Sequence, residues 1–111
     1  MSVPEVDPEE ARALAESGAL LLDVREPNEW NAGHAPGAQF VPLGQLPERV
    51  NELPRDRRIV AVCRVGGRSA RATEFLIAAG IDAVNLAGGM RAWAASGLVV
   101  ETDDGDPGTI I

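Results

Sequence analysis

The stretch Arg58-Ile59-Val60-Ala61-Val62-Cys63-Arg64-Val65-Gly66-Gly67-Arg68-Ser69 decides the fold. Ile59 to Val62 is an unbroken apolar run, the pattern of a strand covered on both faces, as in parallel sheets. Cys63 ends it. A glycine- and arginine-rich loop follows, and then a helical segment, Ala70 to Ala79, whose Ala72, Phe75, Leu76 and Ala79 share one face. Gly80 stops that helix. The order strand, glycine loop, helix puts Cys63 at the carboxyl end of a strand, where open α/β sheets bind their ligands.

The same alternation continues on both sides. Upstream, Val3 to Val6 reads as a short edge strand because Pro4 interrupts it. Asp7-Pro8-Glu9-Glu10 is a helix start: Asp7 caps, Pro8 suits the first helical position and Glu10 lies three residues after the cap. Ala11, Leu14 and Ala15 give that helix its buried face, and Gly18 ends it. Ala19 to Val24 is the next apolar run, with Asp23 near its end. Glu26 to Gln39 reads as loop-rich, and Phe40-Val41 as a brief strand. Leu43, Leu46, Val50 and Leu53 have helical spacing, with Pro47 in the first turn. Downstream, Ala83 to Leu86 is a strand, Gly88-Gly89 a turn, and Met90 to about Ser96 a helix. Strands alternating with helices predict an α/β domain with a mainly parallel sheet.

The chain has 111 residues, enough for one domain with a core of its own. Residues 1–100 are assigned to that domain. Residues 101–111 are acidic and rich in Gly and Pro, and are expected to form a frayed, flexible tail. Ten basic against 17 acidic residues give a net charge of −7, which argues against duplex nucleic acid and anionic membranes as partners. Arg64, Arg68 and Arg71 nevertheless cluster after Cys63, so small anions remain suitable ligands. One cysteine allows no internal disulfide, and one cysteine with one histidine makes an intrinsic zinc site unlikely on ligand count alone. Met1 to Glu5 carries neither a basic patch nor an apolar run, and no stretch approaches the roughly 20 apolar residues of a membrane span. A cytoplasmic location is the expectation.

The loop has its own chemistry. Gly66 and Gly67 let the backbone curl and turn successive N–H groups toward one centre, an anion-binding nest. The helix that follows adds partial positive charge at its N-terminus. A thiolate there is stabilised, as is a persulfide, and arginines can hold an oxyanion bidentately. Taken alone, a cysteine after an apolar strand reads more often as a small buried hydrophobe. Two glycines and two arginines around the thiol favour function instead.

In this loop and its surroundings the chain resembles the single-domain rhodanese family, from about Val3 to Val100. The matching pieces are Leu22-Asp23-Val24-Arg25-Glu26 with Glu29-Trp30, Gly33-His34-Ala35-Pro36-Gly37-Ala38, Pro42-Leu43, the cysteine loop, and Leu86-Ala87-Gly88-Gly89-Met90 with Ala92-Trp93. The resemblance implies a three-layer domain with a five-stranded sheet flanked by helices. It implies a sulfurtransferase in which Cys63 is catalytic and carries sulfur as a persulfide. The substrate-binding residues would be Arg64, Val65, Gly66, Gly67, Arg68 and Ser69, whose backbone N–H groups cradle the persulfide. Arg64 and Arg68 would steer anionic donors such as thiosulfate. An external thiol, cyanide or a partner protein would accept the sulfur, with no metal or organic cofactor.

Other readings stand beside it. Tyrosine or dual-specificity phosphatases of the cell-cycle type and arsenate reductases have five residues between cysteine and arginine; here only Arg64 to Gly67 intervene. A protein-fed persulfide carrier uses the same residues as a thiosulfate enzyme. A non-catalytic binding module is disfavoured by the presence of Cys63. His34 reads as a turn residue satisfying nearby backbone. Asp23 and Arg25 read as scaffold, Glu26 and Glu29 as a solvated helix turn, and Trp30 and Trp93 as core anchors. Gly88-Gly89 either approaches the cysteine loop or simply turns the chain.

Overall fold

A computed structural model describes residues 2–111. Five strands form one sheet: β1 (Glu5–Val6), β2 (Leu20–Asp23), β3 (Gln39–Phe40), β4 (Ile59–Val62) and β5 (Ala83–Leu86). Their order is β1-β5-β4-β2-β3, and every pairing is parallel. The helices are α1 (Pro8–Glu16), α2 (Pro27–Ala32), α3 (Leu46–Arg49), α4 (Gly67–Ala78) and α5 (Gly89–Ala95). β4 is the central strand, so Cys63 emerges at the middle of the sheet's carboxyl edge.

The pleat divides the core in two. Leu20, Leu22 and Val24 of the β2 segment, with Ile59, Ala61 and Cys63 of the β4 segment, face Leu46 of α3 and Ala72 and Leu76 of α4. Leu21, Val60, Val62, Val84 and Leu86 face Ala11 of α1 and Met90 and Trp93 of α5. Successive side chains of a strand point to opposite faces, so an apolar run feeds both layers. Each fully buried Leu or Ile contributes roughly 1.5–3 kcal/mol. Asn85 lies between Val84 and Leu86 and is fully buried, on the face turned to α4.

The start of α1 follows the sequence reading: the Glu10 N–H donates to Asp7 Oδ1 at 2.8 Å and the Asp7 N–H to Glu10 Oε1 at 3.0 Å. Three segments depart from it. The loop-rich stretch 26–39 contains α2, opened by the Glu26–Glu29 capping box with Pro27 in first position. The run 43–53 is not one helix but a 3₁₀ turn (Leu43–Gln45), α3 and a second 3₁₀ turn (Val50–Glu52). Pro47 has no N–H to donate to Leu43, so the chain tightens around it. The helix after Cys63 starts at Gly67 rather than Ala70, because Gly66 (φ +110°) makes the turn in one residue and Gly67, Arg68 and Ser69 become its first turn.

The expectation of a frayed tail is corrected. The His34 N–H donates to Glu101 O at 2.8 Å and the Glu101 N–H returns to His34 O at 2.9 Å. Gly108 donates to Val100 O and Thr109 to Ala32 O, each at 2.9 Å, and Ile110 packs on the α1/α5 core. Glycine content misled the reading here. A Cβ at Gly33 would lie 2.7 Å from Thr109 backbone atoms, and one at Gly108 2.7 Å from the Gly33 Cα, so these glycines allow close chain approach rather than looseness.

Candidate active site

The loop from Cys63 to Ser69 closes over the Cys63 sulfur. The Gly66 N–H donates to Sγ at 3.1 Å and the Ser69 N–H at 3.3 Å; the Ser69 hydroxyl is 3.2 Å away. The left-handed Gly66 aims its amide inward, and Ser69 does so because it lies in the first turn of α4, whose leading N–H groups have no partner within the helix. Cys63 is 1% exposed. Burial pushes its thiol pKa up. The hydroxyl and amide of Ser69 and the amides of Gly66 and Val65 together outweigh that, and the thiol sits below its ordinary value.

Ser69 is itself held. Its Oγ lies 2.6 Å from Asn85 Oδ1, and Asn85 Nδ2 donates to Gly66 O at 3.1 Å and Glu5 Oε2 at 3.0 Å. A hydroxyl has one proton. While it points to Asn85, the oxygen can accept the thiol proton; turned to Cys63, it donates to a thiolate. The turn between β5 and α5 clamps the loop from the other side. The Met90 N–H donates to Cys63 O at 2.7 Å and the Arg91 N–H to Arg64 O at 3.0 Å. A Cβ on Gly89 (φ +61°) would come within 2.5 Å of Cys63 O. Of the two readings of Gly88-Gly89, close approach to the loop is the one seen.

The arginines are engaged. Arg68 binds Glu29 through both arms, Nη1 to Oε1 at 2.7 Å and Nη2 to Oε2 at 2.8 Å. Glu29 Oε1 also accepts the Glu26 N–H at 3.0 Å. Its side chain is only 12% exposed, and the hydrogen bonds from Arg68 carry its pKa down to about 2 in spite of burial. Glu29 is therefore no solvated residue but part of the loop's wall. Arg64 Nε donates to Ile111 O at 3.0 Å. Val65 projects from the loop with half its surface exposed.

Asp23 and Arg25 pair with each other at 2.8–3.1 Å, both fully buried, and Arg25 Nη2 donates to Gly33 O at 2.7 Å. They hold the end of β2 against the turn after α2 and make no hydrogen bond with the cysteine loop. His34 stacks on Trp30 with ring centroids 3.6 Å apart, and its Nδ1 lies 2.9 Å from Trp30 O. It satisfies nearby backbone, as its turn context predicts, and also meets Asp103 through Nε2 at 3.2 Å. Trp93 is a core anchor with Nε1 on Val99 O, whereas Trp30 packs between His34 and Phe40 at the domain's edge.

Sequence reasoning missed two residues of this site. Asn85 had a signal, a lone amide in an apolar strand that has no reason to be there unless something buried needs its hydrogen bonds. Glu29 had a weaker one, its place three residues after a potential cap. Among the described residues, no cluster of three His, Cys, Asp or Glu side chains has the geometry to hold a metal ion, and no helix is long and apolar enough to cross a membrane.

Residues 7–96 match the family model described as a rhodanese-like domain. The chain is 40% identical over 106 residues to a sulfurtransferase of Allochromatium vinosum, covering 93% of this chain and 99% of that one. It is 31% identical to the thiosulfate sulfurtransferase GlpE of Pseudomonas fluorescens, over 92% and 94% of the two chains. Among solved structures it superposes on a thiosulfate sulfurtransferase from Pseudomonas aeruginosa with a TM-score of 0.83 at 30% identity, covering 98% of this chain but 22% of that longer one.

Proposed function

This chain belongs to the rhodanese-like domain family, and from that premise we propose that it is a sulfurtransferase working through a Cys63 persulfide. The observation that carries the reading is the convergence of the Gly66 amide, the Ser69 amide and the Ser69 hydroxyl on one sulfur atom. Donors so arranged stabilise a thiolate before reaction and can follow the charge onto a second sulfur after it.

The cycle has two displacements. The Cys63 thiolate attacks the outer sulfur of a sulfane donor. A Cys63 Sγ–S bond forms, the donor's S–S bond breaks, and its electron pair leaves with sulfite if the donor is thiosulfate, or with a thiolate if it is a persulfide. A second thiophile, cyanide or a thiol, then takes the outer sulfur and Cys63 returns as thiolate. This is ping-pong chemistry. With one cysteine in the sequence, the acceptor in the second half must be external.

The phosphatase-type reading loses support from Arg68. A phosphate loop needs that guanidinium free to grip the ester's oxygens, and here both arms hold Glu29. The loop also has only four residues between Cys63 and Arg68, a span better suited to a single sulfur than to a tetrahedral phosphate.

Intact-protein mass spectrometry tests the proposal. The reduced protein is exposed to thiosulfate or to cysteine persulfide, and cyanide is then added. The expected result is a gain of one sulfur atom on Cys63, lost again as thiocyanate forms. Failure of both donors to load Cys63 overturns the proposal.

A further inference from the structure

In the loop that resembles an anion site, the charge of Arg68 is compensated. Arg68 stands in the first turn of α4, beside the Cys63 sulfur, and is the cation best placed to meet a charged donor. Its guanidinium is spent on Glu29, at 2.7 and 2.8 Å in the fork geometry that satisfies both groups. Glu29 is not there by accident of rotamer. Its Oε1 also caps the Glu26 N–H, and it lies on α2, a helix of its own rather than a mobile surface turn. It stays ionised through the neutral range. Arg64, the other loop cation, points its Nε to the backbone of Ile111. Arg25, just after β2, is buried against Asp23. The groups that touch the sulfur itself are amide and hydroxyl dipoles.

We infer that Glu29 is a specificity-determining residue of this site: by neutralising Arg68 it disfavours donors that carry a sulfonate and favours thiol persulfides. The inference rests on the Cys63 persulfide reading and deepens it. Thiosulfate leaves as sulfite, a dianion with three oxygens that need a cation while the S–S bond breaks. A persulfide R–S–SH leaves as a single thiolate: the Cys63 thiolate bonds the outer sulfur, the old S–S bond breaks, its electron pair departs on R–S⁻, and the proton stays with the transferred sulfur. No oxidant or reductant enters either step. The backbone donors serve both reactions alike, whereas a free Arg68 would serve only the first.

The experiment measures sulfur loading of Cys63 from thiosulfate and from cysteine persulfide, in the native protein and in Glu29→Gln, across a salt series. The glutamine keeps an oxygen for the Glu26 N–H and removes the charge. In the native protein persulfide is expected to load faster than thiosulfate at equal concentration, with thiosulfate loading nearly insensitive to salt. In Glu29→Gln the thiosulfate-to-persulfide ratio of kcat/KM should rise about tenfold, the worth of one charge-assisted contact, and thiosulfate loading should become salt-sensitive. A merely structural role for Glu29 would lower both donors together. An unchanged ratio in the folded variant, or native thiosulfate loading that outpaces persulfide, overturns the inference while leaving Cys63 as the sulfur carrier. Absence of sulfur on Cys63 from either donor overturns that reading, and this one with it. Should Glu29→Gln not fold, the native donor ratio and its salt dependence decide alone.

Discussion

Ser69 reaches Cys63 twice, through its amide at 3.3 Å and its hydroxyl at 3.2 Å, while the same hydroxyl lies 2.6 Å from Asn85 Oδ1. Ser69→Ala removes one of the donors that hold the thiol below its ordinary pKa. The thiol pKa should rise, and sulfur loading at neutral pH should fall on the order of tenfold, since a hydrogen bond to a charged group is worth about 1.5–3 kcal/mol. The pH dependence of Cys63 alkylation checks this; a profile that does not move shows that the amides suffice.

Asn85 acts on Cys63 only through Ser69 and Gly66, which makes it a positioning residue. Asn85→Leu removes the acceptor at Oδ1 and the donor to Gly66 O while keeping the volume close. Loading should slow and the alkylation profile should shift the same way as in Ser69→Ala, with stability down by about 1–3 kcal/mol from the buried polar groups left unpaired. Combining the two changes should shift the profile by less than the sum of the two, because the part of Asn85's effect that runs through the Ser69 hydroxyl is already lost in Ser69→Ala and only the part through Gly66 remains. Additive shifts would show that Asn85 works by another route.

Gly89 and Gly67 make a contrasting pair. Gly89 has φ +61° and no room, with Cys63 and Arg64 backbone atoms 2.5–2.6 Å from an added Cβ. Gly67 has an ordinary backbone and nothing within 4 Å. Gly89→Ala should cost about 2–4 kcal/mol from left-handed strain and overpacking, read as a fall in Tm, and should push the cysteine loop out of place. Gly67→Ala should leave Tm unchanged or slightly raised. Equal Tm values for the two variants would show that the turn does not press on the loop.

Most of the frame was legible because its signals are local. The apolar runs 20–22 and 59–62, the Asp7-Pro8 helix start and the stop at Gly80 each announce themselves within a few residues. The placement of Cys63 just after β4 was legible for the same reason. What the sequence hid is contact between distant segments. Arg68 meets Glu29 from 39 residues away, Ser69 meets Asn85 across 16, and the glycines at 33 and 108 bring the acidic end of the chain against the α2 turn. A composition rich in Gly, Pro and Asp reads as loose when the partner that orders it lies in another part of the chain.

The Glu29–Arg68 pair gives stability its own acid signature. Glu29 titrates near pH 2 in the folded protein against 4.5 as its ordinary value. The folded pKa is depressed, so the unfolded chain binds this proton first as pH falls. The contribution is whole above about pH 4.5 and is lost between there and pH 2. Its size is on the order of 1–3 kcal/mol, below the full pKa difference because the pair is partly open to solvent. Other carboxylates titrate in the same range, so the comparison is between native protein and Glu29→Gln. Urea unfolding at about pH 6, above that window, and about pH 3, inside it, should show the variant less stable at the higher pH and the gap narrowed by roughly half at the lower. A gap that keeps the same width at both pH values would mean that Glu29 is not ionised against Arg68, and would remove the charge compensation from the site.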